Sequence, residues 1–93
     1  MTIIKEKNCV YIEDETHTKR AYVTFPFVGD RVVAIDHTYV DECLRGMNLA
    51  SQLMRAALEV IREEGHQVTL KGSYAMAWFE KHPEEKDVLL RRS

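Results

Sequence analysis

Apolar residues alternate with polar ones early in the chain and recur at helical spacing in its middle, and this change of period organises the sequence. In Cys9-Val-Tyr-Ile-Glu-Asp14, Val10 and Ile12 alternate with Tyr11 and Glu13, which predicts a half-buried strand. The polar stretch Glu15-Thr-His-Thr-Lys-Arg20 predicts a turn after it. Ala21 to Phe27 and Arg31 to Val40 are rich in Val, Ile, Tyr and Phe and predict two more strands, joined across Val28-Gly29-Asp30. The result is an antiparallel meander of at least three strands.

From Asn48 to Glu64 the period becomes helical. Leu49, Leu53, Ala56, Ala57, Val60 and Ile61 fall on one stripe, while Arg55, Glu59, Arg62 and Glu63 face away. Gly65 directly after this run is the expected C-cap. Gln67 to Leu70 predicts a short strand. A strand, a helix and a second strand in sequence make a right-handed crossover, so this strand is expected parallel to the one ending at Val40. Ala75 to Lys81 predicts a second, shorter helix ended by Pro83, and Asp87 to Leu90 an edge strand. The expected fold class is therefore α/β (α+β): a mixed sheet with an N-terminal antiparallel meander, a strand-loop-helix turn, one further parallel strand and a short C-terminal helix. No repeat, low-complexity tract or Pro/Gly/Ser-rich linker divides residues 1–93, so one domain is expected.

Composition narrows the partners. At 93 residues the chain is long enough for one core, burying roughly 60 to 65% of its unfolded surface. Lys and Arg number 13 against 15 Asp and Glu, a net charge of -2. The basic clusters Lys19-Arg20 and Arg91-Arg92 are too small to track phosphates, which argues against nucleic acid. No apolar run approaches the roughly 20 residues of a membrane span. The opening Met1-Thr-Ile-Ile-Lys-Glu-Lys lacks the apolar core of a signal peptide, so a soluble cytoplasmic protein, monomeric or weakly dimeric, is expected. Cys9 and Cys43 form neither a CxxC pair nor a Cys/His cluster, which predicts idle thiols in a reducing compartment and no metal site.

The segment richest in chemistry is Val40-Asp-Glu-Cys-Leu-Arg-Gly-Met-Asn-Leu-Ala50, between the third strand and the long helix. A strand that ends in a Gly-containing turn opening a helix leaves backbone N–H groups unpaired in one concavity, and these favour an anion such as phosphate. Arg45 adds a mobile positive charge there. Many such turns bind nothing, so the loop alone does not decide between a ligand site and a plain structural domain.

Arg45-Gly46-Met47-Asn48-Leu49-Ala50 resembles, at its Arg and Ala, the Arg/Gln-x-x-Gly-x-Gly/Ala pattern with which the GNAT acetyltransferase superfamily holds the pyrophosphate of coenzyme A. Asn48 stands at the central Gly, and Asn is the non-Gly residue that best tolerates left-handed backbone angles. The resemblance runs from about Ala21 to Leu90. With Asp36-His-Thr-Tyr-Val40, Ser73-Tyr74 and Phe79-Glu-Lys-His-Pro83, the chain resembles the minimal, roughly hundred-residue GNAT-like proteins. The resemblance implies acetyl-CoA as cofactor, an amine of unspecified identity as acceptor, and CoA contacts along Arg45, Gly46, Met47, Asn48, Leu49, Ala50 and Ser51. Thr38, Tyr39 and Val40 are expected along the pantetheine arm, with a backbone N–H of Val40 for the thioester carbonyl.

Two further residues depart from the family's pattern. Minimal relatives read Cys-Ser-Tyr before the second helix, where the Cys is taken as acyl-accepting or catalytic; here the register gives Gly72-Ser73-Tyr74. Larger relatives use a Tyr seven residues after an Asn as the acid for the leaving thiolate; here Gly72 and Phe79 hold those positions, and both are expected beside the cofactor. The remaining catalytic candidates are His37, Ser73 and Tyr74. Histidine suits a general base, although His37 is read more readily as a satisfied residue on the sheet, sharing a face with Ile35 and Tyr39 if the strand alternates regularly. Ser73 is also a plausible N-cap. Tyr74 is the candidate acid, acting as a proton donor. Two functions follow: an acetyl-CoA-dependent N-acetyltransferase, and a non-catalytic CoA-binding or interaction module.

Overall fold

The computed structural model describes residues 2–90. Seven strands and two helices follow one another as β1 (Ile3–Glu6), β2 (Cys9–Glu13), β3 (Lys19–Thr24), β4 (Phe27–Gly29), β5 (Val32–Ile35), β6 (His37–Val40), α1 (Leu49–Glu63), β7 (Gln67–Leu70) and α2 (Ser73–Lys81). They form two sheets, of strand order β1-β2-β3-β6 and β4-β5-β7. The fold is the mixed α+β arrangement that the change of period implies, and Ile3–Glu6 adds a strand in front of the expected meander.

Two expected strands are each cut in two. Ala21 to Phe27 breaks at Phe25-Pro26. Pro26 has no N–H for a ladder, while Asn8 holds Phe25 through a 2.9 Å backbone bond and a 2.8 Å side-chain bond. Arg31 to Val40 breaks at Asp36, whose N–H donates to the Thr24 carbonyl at 3.3 Å and whose Oδ1 accepts from the Thr24 hydroxyl at 2.6 Å. The chain thereby changes sheets: β5 pairs with β4 and β7, and β6 with β3. The crossover strand β7 accordingly runs parallel to β5, the first half of that expected strand, with Val33 opposite Val68, and not to β6, the half that ends at Val40. His37 likewise does not share a face with Ile35, since the two sit in different sheets.

Near the C-terminus, Pro83–Val88 is a 3-10 turn, and the expected edge strand over Asp87 to Leu90 reduces to one parallel bridge between Leu89 and Val68. Gly72, not Ser73, caps α2, and Ser73 is its first residue. The Arg91-Arg92 pair lies outside the described residues.

The core forms where α1 lies over the sheets. Val10 and Ile12, Ala21 and Val23, Val33 and Ile35, and Val68 are buried against Leu53, Met54, Ala57, Leu58 and Ile61. The helical stripe therefore packs as its spacing requires, with Met54 and Leu58 broadening it. Gly65 ends α1 with φ +71°, a conformation that costs glycine little. Its N–H bonds to Arg62 O at 3.1 Å, and that of His66 to Ile61 O at 3.0 Å, which satisfies two carbonyls at the helix end.

Candidate functional site

The change of sheets at Asp36 opens the site. β6 is the last strand of its sheet and pairs on one side only, with β3. Asp41 N–H donates to Arg20 O at 2.7 Å. By the alternation of an antiparallel ladder, Tyr39 also turns its N–H and C=O toward β3, whereas Thr38 and Val40 turn theirs toward the free edge. The Val40 carbonyl there accepts a 3.5 Å contact from Arg45 Nε.

After β6 the loop is held tightly at its start. Asp41 Oδ1 accepts the Cys43 N–H at 3.1 Å, opening a 3-10 turn over Glu42–Leu44, and Asp41 Oδ2 accepts from Arg20 Nη1 at 3.2 Å. The Cys43 N–H, joined by Arg20, holds the Asp41 carboxyl below the usual carboxylate range. Gly46 then takes φ +88°, and Asn48 takes the left-handed φ 57°, ψ 27°. The side chain of Asn48 caps nothing, and the first turn of α1 holds no acidic residue. The helix thus begins with unpaired N–H groups and an uncompensated positive end.

These pieces enclose a hollow of about 280 Å³ lined by Thr38, Val40, Leu44, Arg45, Gly46, Asn48, Leu49, Ala50 and Tyr74. Eight of the expected site residues meet there: two from β6, five from the turn and helix start, and Tyr74 from α2. Leu44 joins them unanticipated; its signal was an apolar residue directly before Arg45. Tyr74 is 39% exposed, and burial of the rest pushes its hydroxyl above the ordinary phenol range, so it stays protonated.

Other expected residues lie elsewhere. His37 and Tyr39 alternate onto the opposite face of β6, where His37 Nε2 is 3.9 Å from Asp36 Oδ2. The Met47 side chain is exposed. Ser51 Oγ accepts the Trp78 indole N–H at 2.9 Å. Ser73 and Phe79 line a separate hollow with Leu70 and Met76, and Phe79 is itself core. Gly72 has a backbone role: a Cβ there would stand 3.1 Å from Asp36 O, so the neighbouring strand end needs the missing side chain.

A wider hollow of about 710 Å³ opens at Thr2, Ile4, Glu13, Asp14, Glu15 and Thr16. Its three carboxylates repel anions, whereas the smaller hollow carries Arg45 and the start of α1. Among the described residues, no group of His, Cys, Asp and Glu is arranged to hold a metal ion, and no helix is long and apolar enough to cross a membrane.

Residues 9–88 match the family model described as GCN5-related N-acetyl-transferase. The NMR structure of a GCN5-like protein from Staphylococcus aureus superposes with a TM-score of 0.78 at 30% identity, covering 99% of this chain and 90% of that one. YhbS of Escherichia coli, a GNAT family N-acetyltransferase solved in complex with CoA, superposes with a TM-score of 0.61 at 28% identity, covering 74% and 42%. Protein NATD1 of Gallus gallus is 33% identical over 64 residues, 69% of this chain. The match spans 58% of that relative's length.

Proposed function

Because the chain belongs to the GCN5-related N-acetyltransferase family, we propose that it binds acetyl-CoA in the hollow at the start of α1 and transfers the acetyl group to an amine. The observation that carries this reading is the meeting of three features in one hollow: the anion-attracting start of α1 with Arg45, the free edge of β6, and Tyr74. The first suits a pyrophosphate. The second suits the amide-bearing pantetheine arm, which bonds to unpaired strand groups. The third lies where a thiolate leaves.

Transfer is direct in this reading. The neutral amine nitrogen attacks the thioester carbonyl carbon, a C–N bond forms, and the developing oxyanion is held by a backbone N–H of the β6 edge. The C–S bond then breaks, the CoA sulfur takes a proton from Tyr74, and the nitrogen sheds one. His37, beside Asp36 on the other face of β6, is assigned that proton. Gly72 carries no thiol, so no acetyl-enzyme is formed there, and Phe79 has no hydroxyl with which to serve as the acid. Ser73, facing the other hollow, receives no role. The reading takes residues 1–93 as one cytoplasmic domain acting as a monomer or weak dimer.

The experiment is to incubate the protein with acetyl-CoA and a panel of amines and lysine peptides, following CoA release and acetylation by mass spectrometry. Turnover that persists when Cys9 and Cys43 are both replaced supports direct transfer. CoA binding with no acetylation of any acceptor above background supports instead the non-catalytic module, which the bare positions at Gly72 and Phe79 favour.

A further inference from the structure

The outer face of the four-stranded sheet carries an aromatic row. Ile4, Tyr11, Tyr22 and Tyr39 stand opposite one another across β1, β2, β3 and β6 in direct register. The Tyr22 and Tyr39 rings lie 5.4 Å apart, and Tyr39 is 43% exposed. α1 packs on the other side of this sheet, against Val10, Ile12, Ala21 and Val23. The row crosses four strands, about 14 Å at ordinary strand spacing, and the hollows described above include none of its tyrosines.

Aromatic faces attract cations, and the chain itself shows the contact: Lys19 Nζ sits 4.4 Å from the centre of the Tyr11 ring. Carboxylates flank the row. Glu6 stands on the same face opposite Cys9, Glu13 pairs with Lys19 across β2 and β3, and Asp36 hangs beside Thr24. The neighbouring cation Arg20 is neutralised by Asp14 at 2.7 Å and Asp41 at 3.2 Å. The surface is flat, aromatic and rimmed with negative charge. A small amine would touch one ring, whereas an extended chain of cations meets several rings at once.

We infer that this face docks a basic polypeptide segment and delivers one of its lysines around the free edge of β6 to the bound thioester. The inference rests on the acetyl-transfer reading for its last step, and it narrows the acceptor from amines in general to protein lysine. Tyr39 sits between Thr38 and Val40, which line the CoA hollow on the other face, so the docked segment lies one strand's thickness from the reacting carbonyl.

The test uses a short oligolysine peptide and, as a monomeric comparison, N-acetyl-lysine amide. In amide NMR the peptide is expected to shift Tyr11, Tyr22, Tyr39 and Asp36 of the wild-type protein. Tyr22→Thr removes one ring and is expected to weaken peptide binding about two- to five-fold, while Tyr22→Phe keeps the ring and stays near wild type. In turnover the peptide is expected to show a lower KM than the monomeric amide. Shifts centred on Glu13, Asp14 and Glu15, or peptide binding equal in Tyr22→Thr and wild type, would overturn the docking surface, and so would acetylation of the monomeric amide as readily as the peptide. The wild-type shift map does not depend on either variant folding. Peptide shifts on the tyrosine row without any acetylation would leave the surface standing and remove the transfer reading; acetylation of the monomer with no shifts on the row would do the reverse.

Discussion

Arg20 and Asp41 are joined twice, by the 2.7 Å backbone bond that ends the β3–β6 ladder and by the 3.2 Å ion pair between their side chains. Arg20 Nε also meets Asp14 Oδ2 at 2.7 Å, so one guanidinium fixes both the turn after β2 and the loop that enters the candidate site.

This arrangement sets an acid limb to the stability. The Cys43 N–H lowers the Asp41 carboxyl, with Arg20 assisting, and the Thr16 hydroxyl, followed by Arg20, lowers that of Asp14. A carboxyl lowered by folding stabilises above its unfolded value, about 3.9 for Asp, and that stability is lost as pH falls through the lowered folded value. Urea unfolding between neutral pH and about pH 3 should therefore show the fold weakening on the acid side. In Asp41→Asn that dependence should be shallower.

Asn48 holds a left-handed conformation with no side-chain cap, at φ 57°. Asn48→Gly should keep or raise stability and CoA affinity, because the turn is preserved and the side chain lining the hollow is removed. Asn48→Ala puts into the same conformation a residue that tolerates it less well than Asn, and should cost about 1 kcal/mol in urea unfolding.

The sequence carried the site further than it carried the sheets. The helical stripe of α1, the Gly65 end and the Arg45–Ala50 turn are local, set by spacing and backbone preference within a few residues, and each was legible. The division of Arg31 to Val40 was not, because the break at Asp36 depends on Thr24, twelve residues away, and on β7 claiming β5 as its partner. His37 was misplaced by the same cause, since the alternation used to assign its face does not run across a change of sheets. Gly72 invited a catalytic comparison, while its surroundings give it a packing reason, the close Asp36 carbonyl.

Tyr74→Phe tests the proton donor. Tyr74 lines the hollow and its hydroxyl stays protonated, so loss of that hydroxyl should lower kcat by about a hundredfold or more. CoA affinity and unfolding should change little, since the ring remains. An unchanged kcat would remove Tyr74 from the chemistry.

The central claim is that CoA binds at the start of α1, and the most direct measurement is a CoA titration of the wild-type chain and Arg45→Ala, followed by amide NMR and calorimetry. Wild type should show saturable shifts concentrated at residues 46–51 and at Thr38 and Val40. Arg45 is exposed, so Arg45→Ala should unfold as wild type does while losing about 1.5 to 3 kcal/mol of binding free energy, the worth of a charge-assisted contact. Absence of saturable shifts in that segment, or equal affinity in the two proteins, would contradict the account.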